Sequence, residues 1–214
     1  MRIIKDKKGF IFPYGDVNPR KHFPLITVTL IVLNVVIFIF SLSDFDNIIN
    51  TFGFVPAYFS ILTIFTSMFL HGGLDHIFGN MWYLWIFGDN IEDTLGKGKY
   101  LFLYFMSGIG ATFTHLITNL GSFIPAIGAS GAISGVLGSY IVLFPHAKIR
   151  VRFGHLPAYV VVGLWFIMQL LFATTSLFGG SGSGIAFWAH VGGFVSGYIL
   201  TKLIHKTEKK KKAI

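Results

Sequence analysis

A serine in Gly128-Ala129-Ser130-Gly131 and a histidine in Trp188-Ala189-His190-Val191-Gly192-Gly193 each lie in a stretch apolar enough to sit in a bilayer. Hydrocarbon penalises both side chains, so each asks for a functional reason. Serine is a poor nucleophile until a neighbouring base takes its proton, and neutral imidazole, which titrates near working pH, suits that task. Ser130 as nucleophile and His190 as base would together perform acyl transfer. The oxyanion of that reaction wants donors. His76 and Asn80, four residues apart on one helix face, and the Ser130 amide at a helix N-terminus are the candidates. No acidic residue occurs in the apolar segments that carry Ser130 and His190. A third triad member would have to come from elsewhere, and a Ser–His pair is the simpler proposal.

The elements that must bring these residues together are membrane spans. The 214 residues are 53% hydrophobic and 12% charged, with a mean hydropathy of +0.69; that is about half the charge usage of a soluble domain. Apolar segments near the ~20 residues needed to cross a bilayer recur along the chain, and we read six, near 24–41, 74–90, 98–117, 130–144, 157–175 and 185–203. The fold class expected is all-α, a polytopic bundle of six transmembrane helices over 23–204, with a basic segment at 1–22 and a basic tail at 205–214. The first apolar segment reads as a retained span, not a removed leader. All seventeen Lys and Arg fall on one side of this arrangement, and the three opposite loops, 42–73, 118–129 and 176–184, contain none. By the positive-inside rule both termini are expected in the cytoplasm, in a prokaryotic plasma membrane. The run Lys209-Lys210-Lys211-Lys212 reads as a solvated anchor that favours anionic lipid; nucleic acid is not an expected partner. With no cysteine, disulfides, iron–sulfur clusters and thiolate chemistry are excluded.

The fourth span is short. Ser130 to Phe144, just before Pro145, reaches only about 22 Å at ~1.5 Å per residue, so its outer end is expected to lie below the membrane surface, with loop 118–129 dipping inward and enclosed by protein or a wet cavity. Its small residues Gly131, Ser134, Gly135 and Gly138, and Ala189, Gly193 and Gly197 at strict four-residue spacing in the sixth, permit close helix packing. The second, fourth and sixth spans run in the same direction, so His76, Asn80, Ser130 and His190 share a depth. Within the first outer loop, 42–73, the stretch from Phe52 to Leu62 is partly apolar and expected to lie in the interface as short helices.

His71-Gly72-Gly73-Leu74-Asp75-His76-Ile77-Phe78-Gly79-Asn80-Met81, then Gly88-Asp89-Asn90-Ile91-Glu92-Asp93 with Leu95-Gly96, then Gly128-Ala129-Ser130-Gly131, then Ala189-His190-Val191-Gly192-Gly193 follow one another in an order that resembles the rhomboid family of intramembrane serine proteases. The resemblance implies a rhomboid-like six-helix bundle with Ser130 as nucleophile, His190 as general base, and His76 and Asn80 assisting the oxyanion. It implies a structural or direct role for His71, and a helix-orienting contact for Glu92. Substrates would be single-span membrane proteins, cut within or near the transmembrane segment without metal or cofactor. Where some members stack an aromatic ring under the base, four residues after the nucleophile, this chain has Ser134, which leaves open what supports His190.

Three other classes compete. A non-catalytic relative that binds unstable spans and hands them on would usually lack the nucleophile or base, and both are present. A metal-dependent protease built on His71, His76 and His190 lacks a His-Glu-x-x-His run. A transporter would line several spans with charge.

Overall fold

The computed structural model describes residues 12–177 and 186–212, with no side chains described for 176–177 and 208–212. Arg2, Lys5, Lys7 and Lys8 of the basic lead-in, residues 178–185 of the third outer loop, and the side chains of the Lys209–Lys212 anchor lie outside the described residues.

Eight helices follow in order: α1 (Leu25–Ser41), α2 (Phe45–Phe52), α3 (Ile61–Thr66, continued by a 3-10 turn at Ser67–Phe69), α4 (Leu74–Leu95), α5 (Lys97–Thr118), α6 (Ser130–Leu143), α7 (Ala158–Leu177) and α8 (Phe187–Lys212). The chain is a helical, polytopic integral membrane protein. Among the described residues α5 and α7 are each long and apolar enough to cross a bilayer, α3 with its 3-10 turn and α4, bent by 90°, form a third such unit, and α1 and α6 are shorter apolar helices. Length and apolarity thus carry two or three spans, fewer than the six expected, although the six long helices fall at the positions read from hydropathy. The burial pattern is that of a lipid-facing bundle. Phe40 on α1 is 72% exposed while Thr27, Asn34, Ser107, Ser139 and Thr201 are buried, because lipid solvates apolar side chains and the interior holds the small and polar ones.

Small residues set how closely α6 and α8 approach. A Cβ on Gly193 would overlap the Gly131 carbonyl, one on Gly197 would overlap the Gly135 carbonyl, and one turn further Ser139 and Thr201, 62 residues apart, share a buried hydroxyl–hydroxyl bond. These three pairs step four residues at a time along both helices, so α6 and α8 run parallel with backbones in contact. Gly135 also faces Ser107 of α5, which makes α6 the centre of the bundle.

The opposite end of the bundle carries a feature that helical periodicity does not announce. Strands β1 (Pro13–Asp16), β2 (Lys148–Val151) and β3 (Gly154–Pro157) form an antiparallel sheet in the order β1-β2-β3. Ile149 and Val151 turn one sheet face into the core while Lys148 and Arg150 alternate outward. The lead-in is therefore bound to the α6–α7 connection. Asp16 accepts hydrogen bonds from Tyr140 Oη at 2.5 Å and Asn90 Nδ2 at 2.7 Å, and burial pushes its carboxyl above the ordinary value.

The C-terminal end of α4 grips the start of α1. Pro24 offers α1 no side-chain cap, and the buried Glu92 carboxylate does that work. It accepts the Ile26 and Thr27 amides at 2.9 and 2.8 Å and the Thr27 hydroxyl at 2.9 Å. Asp93 holds the amides of Lys21 and His22 at 2.9 and 3.1 Å. Glu92→Ala would leave the two amides without an acceptor, the Thr27 hydroxyl keeping Tyr100 Oη at 3.2 Å, and is expected to destabilise by about 2–3 kcal/mol, read as a lowered unfolding temperature in detergent. Unfolding at the wild-type temperature would show that α1 does not depend on this cap.

Candidate active site

Ser130 is the first residue of α6, and its hydroxyl lies 2.8 Å from His190 Nε2 in the first turn of α8. The parallel α6–α8 contact produces this meeting, since it aligns the helix starts. Because Ser130 opens its helix, its amide and those of Gly131 and Ala132 have no intrahelical partner, and the first such bond is from Ile133 to the Ala129 carbonyl.

The loop before Ser130 is held by backbone pairing and not left bare. Phe54 and Ala126 exchange amide–carbonyl bonds at 3.0 and 2.8 Å, Ala57 N–H donates to the Ser122 carbonyl at 2.9 Å, and Gly128 N–H donates to the Ser67 carbonyl at 2.9 Å. The segment around Phe54 and the turn after α3 thus brace the approach to Ser130. Gly128 has φ of +124°, and a Cβ there would lie 2.8 Å from His76 Nε2. Gly128→Ala is accordingly expected to displace His76 and to strain the backbone by about 1–2 kcal/mol, with serine labelling at least tenfold slower; unchanged labelling would mean that the loop adapts without moving His76.

His76 comes from the first turn of α4. Its Nδ1 accepts the Gly72 amide at 3.2 Å, which leaves the ring proton on Nε2, beside Gly128 and Ser130. Asn80, one turn on, donates from Nδ2 to the His76 carbonyl at 2.9 Å, and its second amide hydrogen is left for the cavity it lines. His71 lies behind this face. It is fully buried with its ring edge-on to His76 at 5.1 Å, and it is absent from the cavity lining. Glu92 is remote, at the α1 cap. Of the six residues expected to form or support the site, the structure gathers Ser130, His190, His76 and Asn80 around one cavity, sets His71 against His76, and uses Glu92 elsewhere.

That cavity has a volume of about 1400 Å³. One wall is α4, with Asp75, His76, Gly79, Asn80 and Tyr83; the other is α7, with Trp165, Met168, Gln169 and Phe172. Among the described residues no group of three His, Asp or Glu side chains is placed to hold a metal.

Sequence reasoning missed the support of His190. Ser134 does not lie under the ring; its hydroxyl donates back to the Ser130 carbonyl at 2.6 Å. The partners come from α7 and the start of α8 instead. Gln169 Oε1 lies 2.7 Å from His190 Nδ1, the Trp165 ring stands 6.2 Å away at 34°, and Phe187 meets the imidazole edge-on at 6.3 Å. A signal was there to find, because Gln169 is the chain's only glutamine and sits in an otherwise apolar run.

The chain is similar to known proteins. A family model described as Rhomboid domain matches residues 58–207. Rhomboid protein 1, mitochondrial, of Saccharomyces cerevisiae is 31% identical over 162 residues, 72% of this chain and 44% of that protein. Presenilin-associated rhomboid-like protein A, mitochondrial, of Danio rerio is 35% identical over 92 residues, 42% of this chain and 24% of that protein. YdcA of Bacillus subtilis is 29% identical over 156 residues, 69% of either chain. The chain spans less than half the length of the first two. The names divide between mitochondrial and bacterial proteins, so they do not carry the expectation of a prokaryotic plasma membrane.

Proposed function

Because the chain belongs to the rhomboid family, we propose that it is an intramembrane serine endopeptidase that cleaves single-span membrane proteins within or near their transmembrane segment by a Ser130–His190 dyad. The observation that carries this reading is the 2.8 Å contact between Ser130 Oγ and His190 Nε2 beside a cavity of substrate size. His190 takes the hydroxyl proton as Ser130 attacks the scissile carbonyl. The oxyanion is met by His76 Nε2–H, the free hydrogen of Asn80 and the unpaired amides that open α6. His190 returns the proton to the leaving amine, and water then releases the acyl group. A helical substrate must unwind first, since its carbonyls are already paired along the helix.

In this reading α1 and α4–α8 are six spans with both termini cytoplasmic. Arg20, Lys21, Lys148, Arg150 and Arg152 lie with the sheet and the inner end of α4, and the dyad lies at the opposite end of α6, about 20 Å along the helix at ~1.5 Å per residue. The membrane-protein partners follow from the same reading, as does a depth for Ser130 below the outer headgroups. The non-catalytic alternative, a rhomboid-like protein that binds unstable spans and hands them over, has no use for a hydrogen-bonded serine and imidazole.

A fluorophosphonate probe added to the whole chain in detergent tests the assignment. Wild type is expected to be labelled and Ser130→Ala not; equal labelling of the two would place the reactive group elsewhere. Asn80→Ala is expected to lower kcat about 10- to 1000-fold, as loss of one oxyanion donor does. A change confined to KM would assign Asn80 to substrate binding.

A further inference from the structure

We propose that Gln169 is the positioning residue of the dyad. Its side-chain carbonyl fixes the tautomer of His190, so that α7 supplies the third member of the catalytic constellation. This inference rests on the protease reading of Ser130 and His190. An amide oxygen only accepts, so the 2.7 Å contact between Gln169 Oε1 and His190 Nδ1 puts the imidazole proton on Nδ1. Nε2 then carries the lone pair, 2.8 Å from the Ser130 hydroxyl it must deprotonate. The opposite tautomer would present an N–H to Ser130 and could not act as its base.

The surroundings make this bond decisive. Among the described residues the hydrogen-bond partners of the His190 ring are Gln169 and Ser130, and the rings of Trp165 and Phe187 pack beside it, holding its plane without choosing a proton position. The other titratable groups lining the cavity are Asp75, His76 and Tyr83, all on the α4 wall. Without Gln169, Nδ1 would face apolar side chains and both tautomers would be populated. A glutamine inside an apolar helix is disfavoured unless its amide is bonded, and here the bond is to the base. The constellation is therefore Ser–His–Gln, neutral throughout, as suits a site surrounded by lipid.

The test uses the whole chain in detergent with two apolar replacements, Gln169→Leu and Gln169→Met, the second keeping the length and flexibility of glutamine should the first not fold. Nitrogen NMR of histidine-labelled protein, with the His190 signal identified by its loss in His190→Ala, reads the tautomer directly. Wild type is expected to be Nδ1-protonated and the variants mixed. Cleavage of a membrane-anchored reporter is expected to fall about 10- to 100-fold in kcat with KM within about twofold. That is less than where a neighbour enforces the wrong tautomer, because an apolar neighbour leaves a fraction of the rings correctly protonated. An unchanged tautomer in the variants overturns the inference, and so does a changed tautomer with wild-type kcat. Wild type that neither cleaves nor takes the fluorophosphonate probe overturns the protease reading instead, and the NMR comparison still decides whether Gln169 sets the ring.

Discussion

Ser130→Ala and His190→Ala are each expected to reduce cleavage of a membrane-anchored reporter by at least about 10⁴-fold, to background, while leaving expression and unfolding temperature close to wild type. The size follows from how the two groups act. Serine without a base is a weak nucleophile, and a base without the serine has no covalent intermediate to form, so removing either removes the same pathway. The double variant should therefore be no slower than either single one. Folding should survive because Ser130 stands at a helix start and, among the described residues, its hydroxyl bonds His190 alone, and because α6 and α8 are held by the glycine contacts deeper in the pair. Timed immunoblots of reporter fragments measure it. Cleavage at an undiminished rate by either variant would sink the dyad.

Gly197→Val is expected to lower activity on the order of 10²-fold, less than either dyad variant, and to be far more damaging to stability, though residue 197 touches neither reacting group. At this point the α8 backbone lies on the Gly135 carbonyl, where even a single Cβ has no room. A β-branched side chain cannot turn away, so the helices must separate. Overpacking of this kind costs about 1–3 kcal/mol or more. The separation is carried along two parallel helices to the Ser130–His190 contact, less than two turns away, and a misplacement of about 1 Å at a reacting pair costs on the order of 10²-fold in rate. Thermal unfolding in detergent and fluorophosphonate labelling of the same preparation should fall together. Wild-type unfolding and labelling would mean that the α6–α8 contact does not position the dyad.

The two variants also separate what was legible in the chain from what was not. Ser130 and His190 stand out in the sequence because a hydroxyl and an imidazole are unusual in apolar segments. Gly193 and Gly197 stand out because their four-residue spacing matches that of Gly131 and Gly135, and the structure pairs them in that register. Loop 118–129 was expected to be enclosed; its backbone pairs with Phe54, Ala57 and Ser67, but Leu120, Phe123 and Ile124 stay exposed, so the structure holds the loop without enclosing all of it. Other features left no local trace. Strand β1 pairs with β2 across most of the chain, and a four-residue strand carries too little periodicity to announce a distant partner. Nor does the Glu92 sequence say which helix start it will cap, since the donors at Ile26 and Thr27 are 66 and 65 residues away.

By itself the sequence determined the solvent, the approximate helices and the chemical types at the site, because hydropathy, small-residue spacing and out-of-place polar side chains are properties of short stretches read one at a time. Only the tertiary structure decided the protonation geometry. His76 is an Nε2 donor because the Gly72 amide occupies its Nδ1, and His190 rests on Gln169 of α7 and not on its sequence neighbours or Ser134. A hydrogen bond depends on ångström distances between groups on separate helices, and those distances come from how closely the helix backbones pack, which no single segment encodes.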